Sequence, residues 1–205
     1  MTAALTSRQP TEDRKLEIID AVLALAAQRS PGQIATADIA AALGLSSGAI
    51  FKHFPNKATI WLAVMAWVDQ TLSGALGEAA NRATHPLDGL HAMFAAHVDF
   101  AVRHPGVPRF IFHELQQATD SPIKQHVGAM LQRYRAMLRA LLDKAHHDGA
   151  LRPGLDRDAA ATLFIGMIQG LVMQGMVAGT NARLREAGEE VFPIYLAGIA
   201  GELRS

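Results

Sequence analysis

Apolar residues recur every three or four positions along most of the chain, and polar residues fill the positions between them. This spacing predicts amphipathic α-helices, and the alternating pattern of a half-buried β-strand is missing. The predicted helices cover 12–29, 36–43, 46–54, a stretch that begins after Asn56, 87–104, 107–118, 122–148, 156–180 and 187–203. The pattern therefore predicts an all-α fold.

Turn and capping residues separate the short helices near the start of the chain. Thr36 is predicted to cap the second helix, with Asp38 in its first turn, where the helix dipole favours an anion. Gly44 then supplies a left-handed turn residue, and Ser46 and Asn56 are predicted to cap the third and fourth helices. Three helices are thus packed in compact form into the first sixty residues, and beyond about residue 85 the helices lengthen.

The change in helix length predicts two domains, a small helix-turn-helix domain at residues 1–56 and a larger helical domain at residues 57–205. Half of the 205 residues are hydrophobic, so both parts can bury a core. The chain has no Cys, which excludes a disulfide scaffold, a Cys-ligated zinc site and a thiol nucleophile. Since 19 basic residues balance 19 acidic ones, any binding to DNA has to depend on a few local cations.

One uncharged stretch, from Ala159 to Ala182, is long enough to span a bilayer. Gln169 and Gln174 lie near its middle, and buried amides are costly in hydrocarbon unless they have partners. Glycines at 166, 170, 175 and 179 form two pairs spaced four residues apart, which allow another helix to approach closely. We therefore expect a helix packed in a core or a subunit interface. The first ten residues also lack the pattern of a secretory signal, so we expect a cytoplasmic protein with no membrane partner.

The most informative segment is TADIAAALGLSSGAIFKHFPNK, from Thr36 to Lys57. A helix, a turn with glycine and a second helix form the helix-turn-helix plan, whose second helix enters the major groove of DNA. The residues predicted to pack inward are the apolar ones, Ile39, Ala40, Leu43, Leu45, Ile50, Phe51 and Phe54. The residues left to face outward are Ser47, Gly48, Ala49, Lys52 and His53.

Lys57 gives an independent indication of DNA binding. A cation in the first turn of a helix opposes the helix dipole, at a cost of about 0.3–1 kcal/mol, unless the helix start and the cation bind a phosphate together. An ordinary solvated surface would also explain Lys52, His53 and Lys57. The turn, the caps and the apolar residues around them favour DNA binding instead. The predicted DNA-binding residues are Thr36, Ser46, Ser47, Gly48, Ala49, Lys52, His53 and Lys57.

This segment and the preceding helix, LEIIDAVLALAAQRS, resemble the DNA-binding domain of TetR-type transcriptional regulators. The positions that carry the resemblance are Thr36, Ile39, Ala40, Gly44, Ser47, Gly48, Ile50, Phe51, Phe54 and Lys57. The chain departs from the family pattern at Phe51, where the family often has a tyrosine whose hydroxyl reaches a phosphate. The resemblance covers about a quarter of the chain, and it implies that the second domain binds an effector and dimerises.

The run ATLFIGMIQGLVMQ at 161–174 resembles the first of the two helices that form the dimer interface in that family, and 187–203 would be the second. Independently, one short helix-turn-helix makes few base contacts, and a two-fold dimer on a palindrome doubles them. The residues predicted to form the dimer interface are Leu163, Met167, Gly170, Leu171, Gln174, Val191, Ile194, Tyr195 and Ile199.

Phenylalanine, methionine and histidine side chains in the middle helices suggest an effector pocket for a mainly hydrophobic small molecule. The candidates are Phe94, His97, Phe100, Phe110, His113, Tyr134, Met137, Met167 and Met173. Ordinary core packing is the alternative for most of them. His97 and His113 lie in apolar stripes and need a polar partner, which is either a ligand or a buried carbonyl or water.

The sequence contains no HExxH, GxSxG, P-loop or GxGxxG motif, so we predict no enzyme activity, no metal site and no cofactor. The function predicted is that of a homodimeric, ligand-responsive regulator, a repressor that binds double-stranded operator DNA. The alternative is an all-α ligand carrier or enzyme whose helix-turn-helix is only structural. Phosphate contacts make DNA affinity fall steeply with salt, so salt dependence separates these two hypotheses.

Overall fold

The structure, a computed structural model, describes residues 11–201, and these form nine α-helices. They are α1 (Thr11–Gln28), α2 (Thr36–Ala42), α3 (Ser47–Phe51), α4 (Lys57–Arg82), α5 (Pro86–Arg103), α6 (Gly106–Leu115), α7 (Pro122–His147), α8 (Arg157–Ala178) and α9 (Leu184–Ile199). Within that range the β-structure is limited to one bridge between Leu151 and Ala200. The prediction of an all-α fold is confirmed.

Most helix boundaries follow the predicted ones closely, with three larger differences. α3 ends at Phe51, three residues before the predicted end at 54. α6 ends at Leu115, three residues before the predicted end at 118. α9 begins at Leu184 and ends at Ile199, whereas the sequence pattern placed it at 187–203. Residues 202 and 203 of that prediction lie outside the described residues.

The buried side chains form one continuous core that runs from Ile18 in α1 to Ile199 in α9. α4 joins the two ends of the molecule, since it packs against α1 on one side and against α5 and α7 on the other. α6 packs against both α1 and α7. α1 therefore rests on α4 and α6, α2 packs on α1 and α3 on α2, so a shift of α4 or α6 would reach the short helices through α1.

The backbones of α1 and α6 approach each other most closely at Gly106. A Cβ atom on Gly106 would lie 2.0 Å from the carbonyl oxygen of Leu23 and 3.1 Å from the amide nitrogen of Ala27. Both of these are backbone atoms of α1, so no rotamer change can make room. The first residue of α6 has to be glycine for the two helices to pack in this way.

α8 has two different faces. Phe164, Ile168 and Val172 are buried in the core, whereas Leu163 and Met173 on the opposite side are exposed. By length and composition alone α8 could cross a membrane, but the packing of its buried face is that of a core helix.

The predicted glycine pairs of α8 differ from each other. A Cβ on Gly166 or Gly170 would meet open space, so these two glycines leave room for a neighbouring helix. A Cβ on Gly175 would lie 2.7 Å from the Asn181 side chain, because that part of α8 is covered by its own chain. Gly179 lies just beyond the end of α8.

Candidate nucleic-acid interface and effector region

The segment from α2 to α3 has the geometry of a helix-turn-helix. Gly44 lies in the turn with a φ of 65°, a left-handed conformation that glycine adopts without strain. The amide of Leu45 closes the turn by donating to the carbonyl of Ala40 at 2.8 Å. Ile39 and Ile50, one from each helix, are fully buried and hold the two helices together. The predicted turn at Gly44 is therefore present.

The cap of α2 differs from the prediction. Ala35 is the N-cap residue, and Thr36 is the first residue of the helix. The carboxylate of Asp38 makes the reciprocal bond of a capping box, since it accepts a hydrogen bond from the Ala35 amide at 2.7 Å. This bond, with help from Arg29 at 3.2 Å, lowers the pKa of Asp38. An alanine can hold this position because the helix supplies its own acceptor three residues later.

The capping predictions for the next two helices agree with the structure. Ser46 Oγ accepts a hydrogen bond from the Ala49 amide at 3.3 Å at the start of α3. Asn56 Oδ1 accepts one from the Thr59 amide at 2.9 Å at the start of α4. Both caps fix the direction in which the chain enters its helix, so they set the orientation of the outward residues.

The predicted DNA-binding residues fall into two groups by exposure. Ser46, Ser47, Gly48 and Lys52 are exposed, whereas Thr36, Ala49, His53 and Lys57 are half-buried. His53 lies partly beneath the surface, and its Nδ1 atom is buried without a hydrogen-bond partner among residues 11–201. A buried ring nitrogen without a partner carries a cost in free energy.

Phe51 was expected to pack inward, and that expectation is wrong. Its side chain is 47% exposed, whereas Ile50, the residue before it, and Phe54, three residues after it, are buried. α3 is only five residues long and ends at Phe51, so the next residues leave the helix and Phe54 takes the inward position instead. Helical spacing alone could not show where so short a helix ends.

Lys57 is the first residue of α4, and its Nζ atom lies 4.7 Å from the centre of the Trp61 ring. Trp61 is buried and packs edge-on against Phe110 of α6, with the ring centres 5.5 Å apart. Among the described residues neither Lys57 nor Lys52 forms a salt bridge with a carboxylate. Both ammonium groups are therefore available to an anion. Lys57 lies against the Trp61 ring, which in turn contacts Phe110 of α6.

The candidate effector residues do not form one pocket. Phe94, His97 and Tyr134 come together in the core of the second half of the molecule. Phe100 packs on Trp67 and His104, and Phe110 packs under the helix-turn-helix on Trp61. His113 lies beside Gly32, and Met137 is half-buried on α7. Met167 and Met173 lie on the outer side of α8 and are half-buried and exposed, respectively. Choosing residues by type alone could not separate these locations.

The candidate effector residues that do lie together, Phe94, His97 and Tyr134, are centred on the polar pair of His97 and Tyr134. His97 Nδ1 lies 3.1 Å from the hydroxyl of Tyr134. Burial lowers the pKa of His97 to about 4 and raises the pKa of Tyr134, so both side chains are neutral near pH 7. Phe164 stacks against Tyr134 and Phe94, and Phe192 joins the cluster from α9. The sequence prediction missed these last two rings, although Phe164 lies on the buried face of α8.

A surface groove leads toward this aromatic cluster. It lies between α5 and α9, has a volume of about 350 Å³ and is lined in part by Phe94 and Val98. Asp99 and Arg185 stand at the same groove, and Arg185 Nε donates to Asp99 Oδ1 at 2.9 Å. Apolar walls with a charged pair suit an amphipathic small molecule.

The buried imidazole leads to a prediction about pH. The pKa of His97 is about 4 in the folded protein, whereas an ordinary histidine, as in the unfolded chain, has a pKa of 6.5. Between pH 4 and pH 6.5 the unfolded chain therefore binds a proton at His97 that the folded chain does not. The free energy of unfolding should therefore fall as the pH drops from 6.5 to 4, by roughly 2–3 kcal/mol from this group. Urea denaturation of wild type and His97→Gln should show a shallower pH dependence for the variant. The matched change at exposed His147, to Gln, should keep the wild-type slope; equal slopes in all three proteins would refute this role of His97.

A second polar cluster, which the sequence pattern did not indicate, joins α4 to α7. Asp69 of α4 accepts a hydrogen bond from Ser73 at 3.2 Å, lies 2.9 Å from His126 Nε2 and pairs with Arg133. Asp69 is mostly buried, so these contacts fix α4 against α7 firmly. The four residues lie on two helices that are far apart in sequence, which is why this cluster appears only in the structure.

The predicted dimer residues also divide into two sets. Leu163, Met167, Gly170, Gln174, Val191 and Ile194 lie at the outer surface of α8 and α9, half-buried or exposed. Leu163 is 55% exposed and Ile194 is 73% exposed, and both line an apolar groove of about 450 Å³ between the two helices. Leu171, Tyr195 and Ile199 are buried in the chain's own core instead. The Tyr195 hydroxyl donates to the Ala160 carbonyl at 3.2 Å, which fixes it inward.

Two family models match the chain. The family described as bacterial regulatory proteins, tetR family, matches residues 18–64, from α1 into α4. The family described as tetracyclin repressor-like, C-terminal domain, matches residues 86–191, which is more than half of the 205 residues. Both parts of the molecule are thus similar to the corresponding parts of one family.

Individual proteins show the same similarity. Nucleoid occlusion factor SlmA of Idiomarina loihiensis is 26% identical over 163 residues, covering 79% of this chain and 83% of that protein. The ketosteroid transcriptional regulator KstR2 of Mycobacterium tuberculosis has a TM-score of 0.78 at 21% identity, covering 92% of this chain and 96% of that one. The transcriptional regulator FadR of Bacillus subtilis, solved with stearoyl-CoA, has a TM-score of 0.78 at 21% identity, covering 90% and 98%. At this identity the two structures establish a shared fold.

Proposed function

Since the chain belongs to the tetR family of bacterial regulatory proteins, we propose that it is a homodimeric repressor that binds a palindromic operator and is released by a small, mainly hydrophobic effector. The observation that carries the proposal is the helix-turn-helix with an exposed α3 and two lysines without carboxylate partners within residues 11–201. We further propose that residues 1–56 are the DNA-binding domain, residues 57–205 the effector-binding and dimerisation domain, and that the protein acts in the cytoplasm without catalytic activity.

DNA binding is assigned to the eight predicted residues, and five of them are given one of two roles. Ser47, Gly48 and Ala49 are short and allow α3 to approach the base edges, so they are proposed to set sequence preference. Lys52 and Lys57 supply positive charge without base recognition, and Lys57 does so at the positive end of α4. Thr36, Ser46 and His53 lie beside these residues and complete the surface.

Dimerisation is assigned to the outer face of α8 and α9. Leu163, Met167, Val191 and Ile194 form an apolar groove that a monomer would leave in water. Burial of such side chains contributes about 25 cal/mol for each Å² removed from water. Gly166 and Gly170 present open backbone beside them, so a second copy of α8 can approach closely.

Effector binding is assigned to the aromatic cluster around His97 and Tyr134, with the groove between α5 and α9 as its opening. The cluster is apolar except for that pair, so the preferred ligand is hydrophobic with one group that bonds to a hydroxyl or an imidazole. Two structural neighbours, a ketosteroid transcriptional regulator and a FadR protein solved with stearoyl-CoA, are associated with ligands that contain a large apolar part.

Communication between the two sites follows from the packing. α5 lines the effector groove and packs against α4 and α7, and α4 begins with Lys57. A ligand that moves α5 would act on α4 through this contact and through the Asp69 cluster. Such a ligand lowers operator affinity only by binding one of the two conformations more tightly.

Selection of bound sequences from random duplex DNA tests the proposal. We expect one enriched motif with two-fold symmetry, and a drop in affinity for it when hydrophobic effectors are added. A folded protein that enriches no sequence, even after unfolding and refolding to remove bound ligand, would overturn the proposal in favour of a ligand carrier with a structural helix-turn-helix.

Lys57 provides the sharpest test of the phosphate contacts. Lys57→Ala should weaken binding to the operator and to unrelated duplexes by similar factors, because a phosphate contact carries no sequence information. The slope of log affinity against log salt should become shallower by about two for the dimer, roughly one for each subunit. Lys144→Ala removes an equal charge from exposed α7 and should leave the slope unchanged. An unchanged slope in Lys57→Ala as well would remove Lys57 from the interface.

A second candidate is the role named in the relative from Idiomarina loihiensis, a nucleoid occlusion factor. A factor that acts on the nucleoid as a whole requires many binding sites, whereas a repressor of one set of genes requires few. Mapping the bound sites across the chromosome distinguishes the two: a few sites beside promoters support the repressor, and many dispersed sites support the second candidate.

A further inference from the structure

The unexpected feature of the DNA-facing surface is an exposed aromatic ring. Phe51 is 47% exposed, although phenylalanine is among the side chains most often buried in proteins. Its neighbour Ile50 is fully buried, so the difference is not due to general looseness of α3. The ring stays in water in the free protein, and its removal from water would be favourable.

The position of the ring on α3 places it among the residues proposed to read bases. Ser47 precedes Phe51 by four residues and Gly48 by three, so all three lie on one side of the helix. Ser47 and Gly48 are exposed and short, and a Cβ on Gly48 would meet only the Ser46 hydroxyl within 4 Å. The phenyl ring is therefore the largest apolar group on a face otherwise made of small residues, with Lys52 next to it.

The chemistry of the ring restricts what it can contact in DNA. Phenylalanine has no donor or acceptor, so it makes no conventional hydrogen bond to a phosphate or to the polar edge of a base. The major groove offers one apolar group, the 5-methyl of thymine, and phenylalanine is among the side chains that contact it. A ring at this place would bury that methyl and exclude water from it.

We propose that Phe51 is a specificity-determining residue that contacts the 5-methyl group of one thymine in each operator half-site. This inference rests on the proposed function, because it requires α3 to lie in the major groove. It adds a residue outside the eight assigned to DNA binding, and it assigns the recognition of an A·T pair to an apolar contact.

Replacing thymine by uracil in the operator removes only the methyl group and keeps every hydrogen bond of the base pair. We expect one symmetry-related pair of replacements to weaken wild-type binding by about fourfold for each half-site, from the burial of one methyl, and roughly fifteenfold for both. Every other thymine-to-uracil change should have little effect. The measurement is a titration of fluorescent duplexes, each with one symmetric pair replaced, by the intact protein.

The variant Phe51→Ala completes the test. On the thymine operator it should bind more weakly than wild type, and it should bind the thymine and uracil duplexes equally. Leu115→Ala is the matched control, since Leu115 is 44% exposed but lies on α6, and it should keep the wild-type sensitivity to uracil. Wild type alone already tests the proposal, so a folding defect in a variant would not obscure the result.

Three results would overturn the inference: an operator without thymine in its half-sites, a wild type insensitive to uracil everywhere, or equal uracil sensitivity in wild type and Phe51→Ala. Each of them leaves a selected palindrome standing, so the proposed function would survive. If no palindrome is selected, the proposed function itself has failed, and the two failures remain distinct.

Discussion

The double variant Leu163→Glu, Ile194→Glu is expected to be folded, monomeric and weaker in operator binding by roughly 100-fold or more. Both side chains are exposed in the single chain, at 55% and 73%, so glutamate there does not disturb the core. In a dimer the same positions would face a second copy across an apolar groove, where an unpaired carboxylate loses its hydration. The large effect on DNA binding is expected because a dimer binds two half-sites at once, whereas a monomer binds only one.

Light scattering at micromolar concentration, circular dichroism and operator titration measure these three properties on the same samples. Leu115→Glu, an exposed leucine of α6, is the control and should remain dimeric. If the double variant is still a dimer, the α8–α9 face is not the interface. If it is monomeric but binds the full operator as tightly as wild type, the requirement for a dimer is wrong.

Gly106→Ala is expected to lower the free energy of unfolding by about 2 kcal/mol. The added Cβ would lie 2.0 Å from the Leu23 carbonyl oxygen, and because that atom belongs to the backbone of α1, the two helices would have to separate. Overpacking of a well-packed contact costs about 1–3 kcal/mol, and here no side chain can rotate away. The usual helix preference for alanine over glycine acts in the opposite direction and is smaller, at about 1 kcal/mol.

Gly128→Ala is the matched control for this prediction. Gly128 lies in the exposed part of α7, and a Cβ there meets nothing within 4 Å, so the substitution should stabilise the protein slightly. Chemical denaturation of the three proteins gives the comparison. A Gly106→Ala variant as stable as wild type would show that α1 and α6 are farther apart in solution. That result would also weaken the proposal that α6 supports the helix-turn-helix.

Much of the fold could be predicted from the sequence, for reasons that particular residues make clear. The spacing of apolar positions and the breakers between them placed the helices, and Gly44, Ser46 and Asn56 act locally in the roles expected of them. Capping and turns depend on residues three or four positions apart, which a sequence displays directly. The cap of α2 differed because the helix begins one residue earlier than predicted, with Ala35 as its N-cap and its amide bonded to Asp38, also a local residue.

The candidate sites were harder to predict because they depend on contacts between distant helices. α8 is apolar on both faces, so its sequence could not show that Leu171 belongs to the core while Leu163 faces outward. Phe110 and Phe94 are alike as residues, yet one packs under the helix-turn-helix and the other near α9. The Asp69 cluster and the exposure of Phe51 likewise follow only from the three-dimensional arrangement.

The central claim is that a dimer of this chain binds a palindrome through α3 and a few phosphate contacts. The most direct measurement is a titration of the selected palindrome, a single half-site and a scrambled duplex at two salt concentrations, with the stoichiometry read from the saturation point. The account predicts two chains for each palindrome, much weaker binding to the half-site and the scrambled duplex, and affinity that falls steeply with salt. Equal affinity for all three duplexes, or affinity for the palindrome that does not change with salt, would contradict it.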